Sequence, residues 1–555
     1  MAEKLAQVEH MRDADPGSSE RQLAEMIGIP RGTLRHWQER QEKIDADPEV
    51  VAFFTSPAGI AFLHRLLVAA HFVMSFLGPC GVRLVCQFLE LSGLAQFVGA
   101  SYGAQRGVSV EMEKEIATFE KEEEGRLGQE MKRKQVTVAQ DETYHERPCL
   151  VAIEPVSGYI LLEEYAQNRK AETWTEAMEK AMADKPIEVI QSTSDEGRGI
   201  CSHVANGLGA HHAPDVFHVQ YEVSKATSAS LSSKVRQAEK EATATEKEVH
   251  KQEAAKEKFD SQKRQRGRRP NFDKRIEAAQ QGAQAARAHL EERQQQQERA
   301  QQANQTISRV YHPYELETGE AQNAEVVDTA LAAQFVELEA VAQAAGLSER
   351  PRQRIAKAKR VVVQMVATIA FFWLTVRAKI EALQLASAVE KAVYENLLPA
   401  FYLYTVASKA KEAARRKELE QRADTLLTPL LNKGSPLQQL PIEEIKVLED
   451  VAWECIHLFQ PSSSCVEGRN AQLALRHHAL HRLSDRKLQA LKVVHNFYLR
   501  RDDGTTAAER FFDASHKELF AWLLDRVDIP GFPAQKRPKT QQKVSLTSSG
   551  NDRLD

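Results

Sequence analysis

The spacing of apolar residues changes period twice along the chain. Up to about residue 134, apolar residues recur every three or four positions, which is typical of amphipathic helices. From residue 135 to 219, short apolar runs separated by turn residues predict strands. From residue 220 the helical period returns and continues to about residue 501. The sequence therefore predicts a mixed α and β domain that lies between mostly helical segments.

Residues 135–219 divide into seven predicted elements. Three strands are VTVAQD, PCLVAIE and YILLEEY, with the last two joined as a tight hairpin through PVSG. The helix AETWTEAMEKAMAD, the strand IEVIQS, a short helical segment from Gly199 to Gly207 and the strand PDVFHV follow. This order is that of the ribonuclease H-like fold, in which the first and fourth strands lie side by side. That fold would bring Asp141, on the first strand, next to Asp195, just past the fourth.

Converging carboxylates predict a metal centre. Asp141 and Asp195 would repel each other unless a cation lies between them, and carboxylate oxygens favour Mg²⁺ or Mn²⁺. Asp215 and His218 are predicted on the last strand, where His218 could be an ordinary core histidine. A further carboxylate, Glu467, lies in the first turn of a predicted helix in SSSCVEGRNAQLALRHH.

Each of these residues has an alternative role or substitute. Glu467 follows Ser464 by three residues, so it could instead form a capping box, and Glu449 or Asp450 are weaker substitutes as ligands. Glu142 is expected to point away from Asp141, because successive side chains on a strand alternate. A zinc site is conceivable on ligand types alone, but its spacing matches no common zinc pattern; its members would be Cys201, His203, His211, His212 and His218.

The segment SSERQLAEMIGIPRGTLRHWQER, residues 18–40, has the pattern of a helix-turn-helix. Ser19 can cap the first helix, and Gly28 can take the left-handed turn position. The second helix presents a polar set that is expected to contact a DNA major groove, namely Arg31, Thr33, Arg35, His36 and Gln38. The alternative is a helical hairpin that only packs on the next domain.

Long helices are predicted on both sides of the mixed domain. Residues 51–77 and 360–376 are apolar, but interrupting or flanking charges favour buried core helices over membrane spans. The charged stretch EMEKEIATFEKEEEGRLGQEMKRK is predicted to be a solvated helix. On both sides of KRQRGRRP, residues 263–270, apolar residues at heptad spacing predict a coiled-coil hairpin of two helices, each about 30 residues and roughly 45 Å long. Its basic tip either grips DNA or serves solubility; the residues concerned are Arg264, Arg266, Arg268 and Arg269.

Composition narrows the class of protein. The 555 residues are 42% hydrophobic and 27% charged, which suits three or four soluble domains. A formal charge of -4 argues against a uniformly basic nucleic-acid coat. The six cysteines form no CxxC pair, and the N-terminus lacks a secretory signal, so we expect a cytoplasmic protein without disulfides.

The whole arrangement resembles a bacterial insertion-sequence transposase of the DDE class. The resemblance rests on the order helix-turn-helix, DET, SDEGRG, PDVFH, a long helical insertion and VEGRNAQLALRHHALHRLS, and it includes an Asp-x-x-His motif, here Asp215 to His218. It implies DNA cleavage at transposon ends and strand transfer into target DNA, with two Mg²⁺ (or Mn²⁺) ions held by Asp141, Asp195 and Glu467. The Asp-x-x-His motif implies that Asp215 and His218 both lie next to the active site. The resemblance also implies a homodimer or higher oligomer on double-stranded DNA. The alternative is a catalytically silent, domesticated DNA-binding regulator.

This resemblance sets the predicted domain organisation. A helix-turn-helix spans 1–45, a helical linker 46–134, the first part of a ribonuclease H-like core 135–219, a helical insertion 220–460, the final part of the core 461–532, and a disordered tail 533–555. The helix that follows Glu467 is rich in Arg and His, and Arg469 and Arg476 are expected to face DNA.

Overall fold

The computed structural model describes residues 2–41, 44–261, 268–480 and 482–531. Within these residues the fold is α+β and mostly helical, with one mixed sheet of five strands. The predicted combination of one small mixed sheet with long helical segments is confirmed at this level. The tail from residue 533, predicted to be disordered, lies outside the described residues.

Three helices at the N-terminus share one small core. They are α1 (Ala2–Ala14), α2 (Glu20–Met26) and α3 (Arg31–Gln41). Ser19 caps α2 and exchanges capping-box hydrogen bonds with Gln22, and Gly28 has a φ of 66°, so both predicted signals are present. Helix α1 is not among the predicted elements, yet its Leu5 and Val8 pack in the same core as Leu34.

Four more helices precede the sheet. They are α4 (Pro48–Thr55), α5 (Pro57–His71), which continues as a π-helix (Phe72–Leu77), α6 (Val82–Leu91), which is followed by a 3-10 turn (Leu94–Gln96), and α7 (Tyr102–Glu130). The prediction of a solvated α7 is wrong, because Glu113, Glu120 and Glu123 are buried. Distant lysines compensate the burial: the Glu120 carboxylate lies 2.7 Å from the Lys492 ammonium.

The sheet contains the first four predicted strands in the predicted order along the chain, followed by a fifth strand. Its elements are β1 (Lys134–Tyr144), β2 (Pro148–Glu154), β3 (Tyr159–Tyr165), α8 (Ala171–Met182), β4 (Ile187–Ser194), α9 (Arg198–Ser202), a π-helix (His203–Leu208) and β5 (His211–Pro214). The spatial order is β3-β2-β1-β4-β5. β2 is antiparallel to β1 and β3, whereas β4 is parallel to β1 and β5. The predicted adjacency of the first and fourth strands is confirmed.

The last predicted strand, PDVFHV, is wrong in its position. β5 ends at Pro214, and the helix α10 (Val216–Asp260) starts two residues later. Asp215 occupies the N-cap, where its side chain accepts a hydrogen bond from the backbone N–H of Phe217. A short apolar run cannot by itself distinguish a strand from a helix start, and the capping carboxylate decides in favour of the helix.

The insertion begins with two long paired helices. α10 has 45 residues and α11 (Phe272–Val310) has 39, which correspond to about 68 Å and 58 Å at 1.5 Å per residue. The pairing was predicted, but the lengths were underestimated because α10 already starts at Val216. The remaining helices are α12 (Ala324–Ala344), α13 (Glu349–Glu381), α14 (Ser387–Ala392), a π-helix (Val393–Leu397), α15 (Leu398–Lys409), α16 (Ala413–Leu431), a 3-10 turn (Leu437–Gln439) and α17 (Ile442–His457).

Four further helices follow in the described residues, and the chain divides into two compact units. The helices are α18 (Ser464–Leu480), α19 (Asp485–Phe497), α20 (Ala507–Phe512) and α21 (Leu519–Arg526). One unit comprises residues 1–127 and 473–555, and the other comprises residues 128–472. The predicted segment 461–532 is therefore shared between the units, and all the predicted metal ligands belong to the second.

Two helical segments in the described residues are long and apolar enough to cross a membrane, Pro57–Leu77 and Glu349–Glu381. This is weak evidence for a membrane protein, because the core helix of a soluble protein has the same length and composition. In α13 the buried residues Met365, Ile369, Phe372 and Val376 follow helical spacing along one face.

Candidate active site

Three aspartates lie at the same level of three neighbouring parallel strands, Asp141 within β1, and Asp195 and Asp215 one residue past the ends of β4 and β5. Ala139 of β1 pairs with Thr193 of β4, and Ser194 of β4 pairs with Pro214 of β5. When this register is continued by one or two residues, Asp195 falls between Asp141 and Asp215. Since adjacent strands lie about 4.8 Å apart, the sheet places these three carboxylates in a row at one edge.

Backbone and side-chain donors orient Asp141 and Asp195. Asp141 Oδ1 accepts a hydrogen bond from the Glu142 N–H at 2.8 Å, and Asp141 Oδ2 accepts one from Asn470 Nδ2 at 2.9 Å. Asp195 Oδ1 accepts one from the Gly197 N–H at 2.9 Å. A Cβ at Gly197 would lie 2.8 Å from Asp195 Oδ1, so a larger residue there would push this carboxylate out of its present orientation.

Burial and mutual repulsion raise the pKa values of two acids at this edge of the sheet. Burial, together with the nearby charge of Asp195, raises the pKa of Asp141 to about 6. Burial and the charges of Asp195 and Asp141 raise the pKa of Glu142 to about 7, although Arg169 opposes the shift. Glu142 Oε2 is buried and has no hydrogen-bond partner among the described residues. Glu142 Oε1 accepts from Arg169 Nη1 at 3.5 Å, whereas Asp141 contacts Asn470, so the two carboxylates have different partners. That Glu142 points away from Asp141 stays a prediction.

Asp215, His218 and Glu467 form the one group of three metal-ligating side chains found among the described residues. Their ligand atoms all lie within 4.8 Å of one another. His218 Nδ1 lies 3.4 Å from Asp215 Oδ2. The interaction with Asp215 raises the pKa of His218 to about 9 against the effect of burial, and Asp195 and Asp141 add to the shift. His218 is therefore a cation surrounded by carboxylates at neutral pH.

Asp215 is fully engaged by hydrogen-bond donors. Its Oδ1 accepts from the Phe217 N–H at 2.8 Å, and its Oδ2 accepts from the Ser463 N–H at 3.1 Å and from the Ser463 hydroxyl. Burial acts to raise the pKa of Asp215, but hydrogen bonds from His218, Ser463 and Phe217 lower it overall. Asp215 thus ties the end of β5 to the starts of α10 and α18.

Helix α18 carries Glu467 into this site. The Glu467 N–H donates to the Ser463 carbonyl at 3.2 Å, so Ser463 precedes the first turn as its cap residue. The alternative of a Ser464–Glu467 capping box is wrong, because Ser464 already lies inside the helix. Asn470, three residues after Glu467 and hence on the same helical face, was missed by the sequence analysis. The spacing Glu-x-x-Asn was the only signal for it.

Arg469, predicted to contact DNA, has a different role. Its side chain is 5% exposed, and its Nε and Nη2 donate to the two carboxylate oxygens of Glu163 at 2.6 and 2.7 Å. A buried, bidentate ion pair leaves the guanidinium unavailable to phosphate, so this prediction is wrong. Arg476 is half-buried and donates to the backbone carbonyls of Phe76, Leu77 and Gly78 at the end of a π-helix, so these bonds already engage its guanidinium. Its contact with DNA stays a prediction.

The predicted DNA contacts of the first unit lie on one helix. Arg31 and Arg35 on α3 are exposed, with carboxylates of Glu20 at 3.4 Å and Glu39 at 3.2 Å, and Thr33 and Gln38 are half-buried. The His36 side chain lies outside what the structure describes.

Two residues of the predicted basic tip are described, and they lie at the far end of α10 from Asp215. Arg269 Nη2 lies 2.9 Å from Asp260 Oδ1, at the last residue of that helix, and Arg268 is exposed. Arg264 and Arg266 lie outside the described residues. The structure therefore does not bring Arg268 or Arg269 to the acid cluster.

Among the conceivable zinc ligands, Cys201 Sγ and His212 Nε2 lie 3.8 Å apart, but the histidines also contact other groups. His203 contacts Gln140 and Thr175, His211 contacts Thr368, and His212 contacts Ser194. In the described part of the chain they form no metal-ligating group with Cys201.

Comparison with protein families gives one match. Residues 393–539 match the model of a family of unknown function, DUF6399, and the matched segment includes Glu467 and Asn470. Comparison with curated proteins gives no match.

Proposed function

We propose that the chain is a DDE transposase that hydrolyses a DNA phosphodiester at transposon ends and then joins the freed 3′-hydroxyl to target DNA. The observation that supports the proposal is the register of β1 and β4, which brings Asp141 beside Asp195. Asn470, one turn after Glu467 on α18, bonds to Asp141, and Glu467 itself lies beside Asp215 and His218. Two further features support it. The strand order β3-β2-β1-β4-β5, with β2 antiparallel, is that of a ribonuclease H-like sheet. A long helical insertion separates β5 from the helix with Glu467, as the resemblance implies.

The donor set fits a hard divalent cation. Asp141, Asp195 and Glu467 would hold Mg²⁺ or Mn²⁺, because oxygen ligands suit these ions. Glu142 Oε2 and Asn470 Oδ1 are also buried acceptors without a donor among the described residues. Asp215 is the poorer ligand, since donors already occupy both of its oxygens. When bound, such ions lower the pKa of an attacking water and stabilise the leaving oxygen.

Hydrogen bonds and a buried ion pair within the chain orient the side chains of this site. Asn470 and the Gly197 N–H fix the orientations of the Asp141 and Asp195 carboxylates. His218, held by Asp215, offers a cationic donor for a phosphate oxygen beside Glu467. The buried Arg469–Glu163 pair fixes α18 against β3, which sets the position of Glu467.

Helices α2 and α3 supply the proposed end-specific DNA recognition. Their left-handed turn at Gly28 and the exposed Arg31 and Arg35 suit a helix-turn-helix whose second helix enters the major groove. A protein of this kind acts on double-stranded DNA as a dimer or higher oligomer and works in the cytoplasm.

Cleavage by matched variants tests the catalytic proposal. The full chain is incubated with Mg²⁺ or Mn²⁺ and labelled duplex from the flanks of its own gene. Asp141→Asn, Asp195→Asn and Glu467→Gln should each reduce cleavage by at least about 100-fold while DNA binding persists. Asp450→Asn, which removes an exposed carboxylate on α17, is the control. Full cleavage by Asp141→Asn would overturn the metal assignment. Binding without cleavage by the unaltered chain would support the silent regulator instead.

A further inference from the structure

A cavity of about 1300 Å³ opens directly beside the acid cluster. The first turns of α10 line one side, and the end of α11, the end of α15 and the start of α16 line the others. His218 and Glu467, which belong to the group of Asp215, His218 and Glu467, also line this cavity. The cavity exceeds the roughly 300–1,000 Å³ of ordinary small-molecule pockets, so it has room for a larger ligand.

Two aromatic side chains in the cavity are unusually exposed. Phe217 is 48% exposed and Tyr221, one turn later on α10, is 55% exposed. The opposite face of the helix packs in the core through Val216, Val219 and Val223. The Lys225 ammonium lies 4.0 Å from the centroid of the Tyr221 ring. The helix thus presents two aromatic rings and a cation to solvent immediately after Asp215.

The walls of the cavity are basic. Arg309, Lys409, Lys411 and Arg415 line it, whereas Glu467 is the one acidic residue in the lining. Glu317 lies 2.7 Å from Arg309 and 3.2 Å from Arg415 and so offsets part of this charge. Lys411 has no ion pair among the described residues, and Lys409 Nζ donates to Gln460 Oε1 at 3.3 Å. A net positive wall remains within reach of the aromatic rings.

We infer that this cavity binds unpaired nucleotides of a DNA strand next to the candidate active site. The bases would stack on Phe217 and Tyr221, and the phosphates would contact Lys409, Lys411 and Arg415. Aromatic rings interleaved with cations suit single strands, because every base offers a face for stacking once it is unpaired. In a duplex those faces are covered. The inference rests on the proposed function for the identity of the ligand as DNA.

Binding in EDTA tests the cavity without any cleavage. The probe is a duplex with a short single-stranded 3′ overhang that contains 2-aminopurine, and a blunt duplex of the same sequence is the reference. The overhang should bind more tightly than the blunt duplex and its fluorescence should be quenched. Phe217→Ala and Tyr221→Ala should each weaken overhang binding by about 5- to 150-fold and relieve the quenching, while Tyr221→Phe should keep both.

Two further variants control for folding and for charge. Phe62→Ala removes an aromatic ring that is 52% exposed in the other unit and should leave overhang binding unchanged. Lys411→Gln should reduce the slope of log affinity against log salt by about 0.7 for the overhang, as expected for one lost single-strand phosphate contact. Equal binding of overhang and blunt duplex, or unchanged affinity of both alanine variants, would overturn the inference.

The outcome is separable from that of the proposed catalysis. If the chain fails to cleave DNA but its overhang binding depends on Phe217 and Tyr221, the cavity assignment holds and the catalytic proposal fails. If cleavage depends on Asp141 but neither Phe217→Ala nor Tyr221→Ala changes overhang binding, the catalytic proposal holds and the cavity assignment fails.

Discussion

Replacing Arg469 by methionine should destabilise the second unit strongly. The Glu163 side chain is fully buried, and Arg469 is its bidentate partner at 2.6 and 2.7 Å. Removing one member of such a pair leaves a buried charge without compensation, which costs about 3–5 kcal/mol. The Arg469→Met change should therefore loosen β3 and the start of α18, which the pair joins.

Hydrogen exchange followed by mass spectrometry measures this loss locally. A cost of about 3–5 kcal/mol corresponds to a fall of roughly two to four powers of ten in the protection of β3 amides that exchange through this opening. The double variant Glu163→Leu, Arg469→Met also removes the buried Glu163 carboxylate and should recover most of the protection. Well-packed apolar replacements of buried ion pairs often leave the stability unchanged. Unchanged protection with weakened DNA binding would refute the structural role and restore the phosphate contact that the sequence suggested.

Three other predictions concern the site and its surroundings. Gly199→Ala places a Cβ 2.2 Å from the Arg169 carbonyl oxygen and should lower the free energy of unfolding in urea by about 1–3 kcal/mol. The control Gly282→Ala lies in open space on α11 and should raise the free energy of unfolding by about 0.5–1 kcal/mol. Equal effects of the two substitutions would contradict the close approach at Gly199. Mn²⁺ affinity should fall as the pH falls through 7 and then 6, because Glu142 and Asp141 have pKa values of about 7 and 6. Protonation of Glu142 removes a negative charge beside the site, and protonation of Asp141 removes a ligand; calorimetric titrations that do not change with pH would count against Asp141 as a ligand. Deleting residues 1–45 should reduce sequence-specific binding of flanking DNA while Mn²⁺ binding persists; undiminished selectivity would place recognition elsewhere.

Strands β1 to β4 and the positions of Asp141 and Asp195 were predictable, because apolar runs and turn residues are features of the local sequence. Alternating apolar runs and turn residues fix β1 to β4, and the fold that this order suggests places Asp141 beside Asp195, as the register confirms. The start of α10 was not predictable from hydrophobicity. The segment VFHV fits either a strand or a helix, and Asp215 decides between them only through its bond to the Phe217 N–H.

The remaining features depend on partners far away in the sequence. Arg469 lies on a helix rich in Arg and His, so the sequence suggests a DNA contact. In the fold, Arg469 instead pairs with Glu163 of β3, which is 306 residues earlier in the sequence. The acids of α7 look solvated until α19 brings Lys487 and Lys492 to them. Asn470 acquires its role only when α18 is docked against β1. In each case the role of a polar residue depends on a partner that is distant in the sequence. A local sequence pattern does not contain that partner.

Manganese anomalous scattering tests the central claim most directly. Crystals of the full chain soaked in Mn²⁺ and measured at the manganese edge should show an anomalous peak about 2.1 Å from carboxylate oxygens of Asp141 and Asp195, with Glu467 nearby. A peak bounded only by Asp215, His218 and Glu467, or no peak between Asp141 and Asp195, would contradict the proposed metal centre.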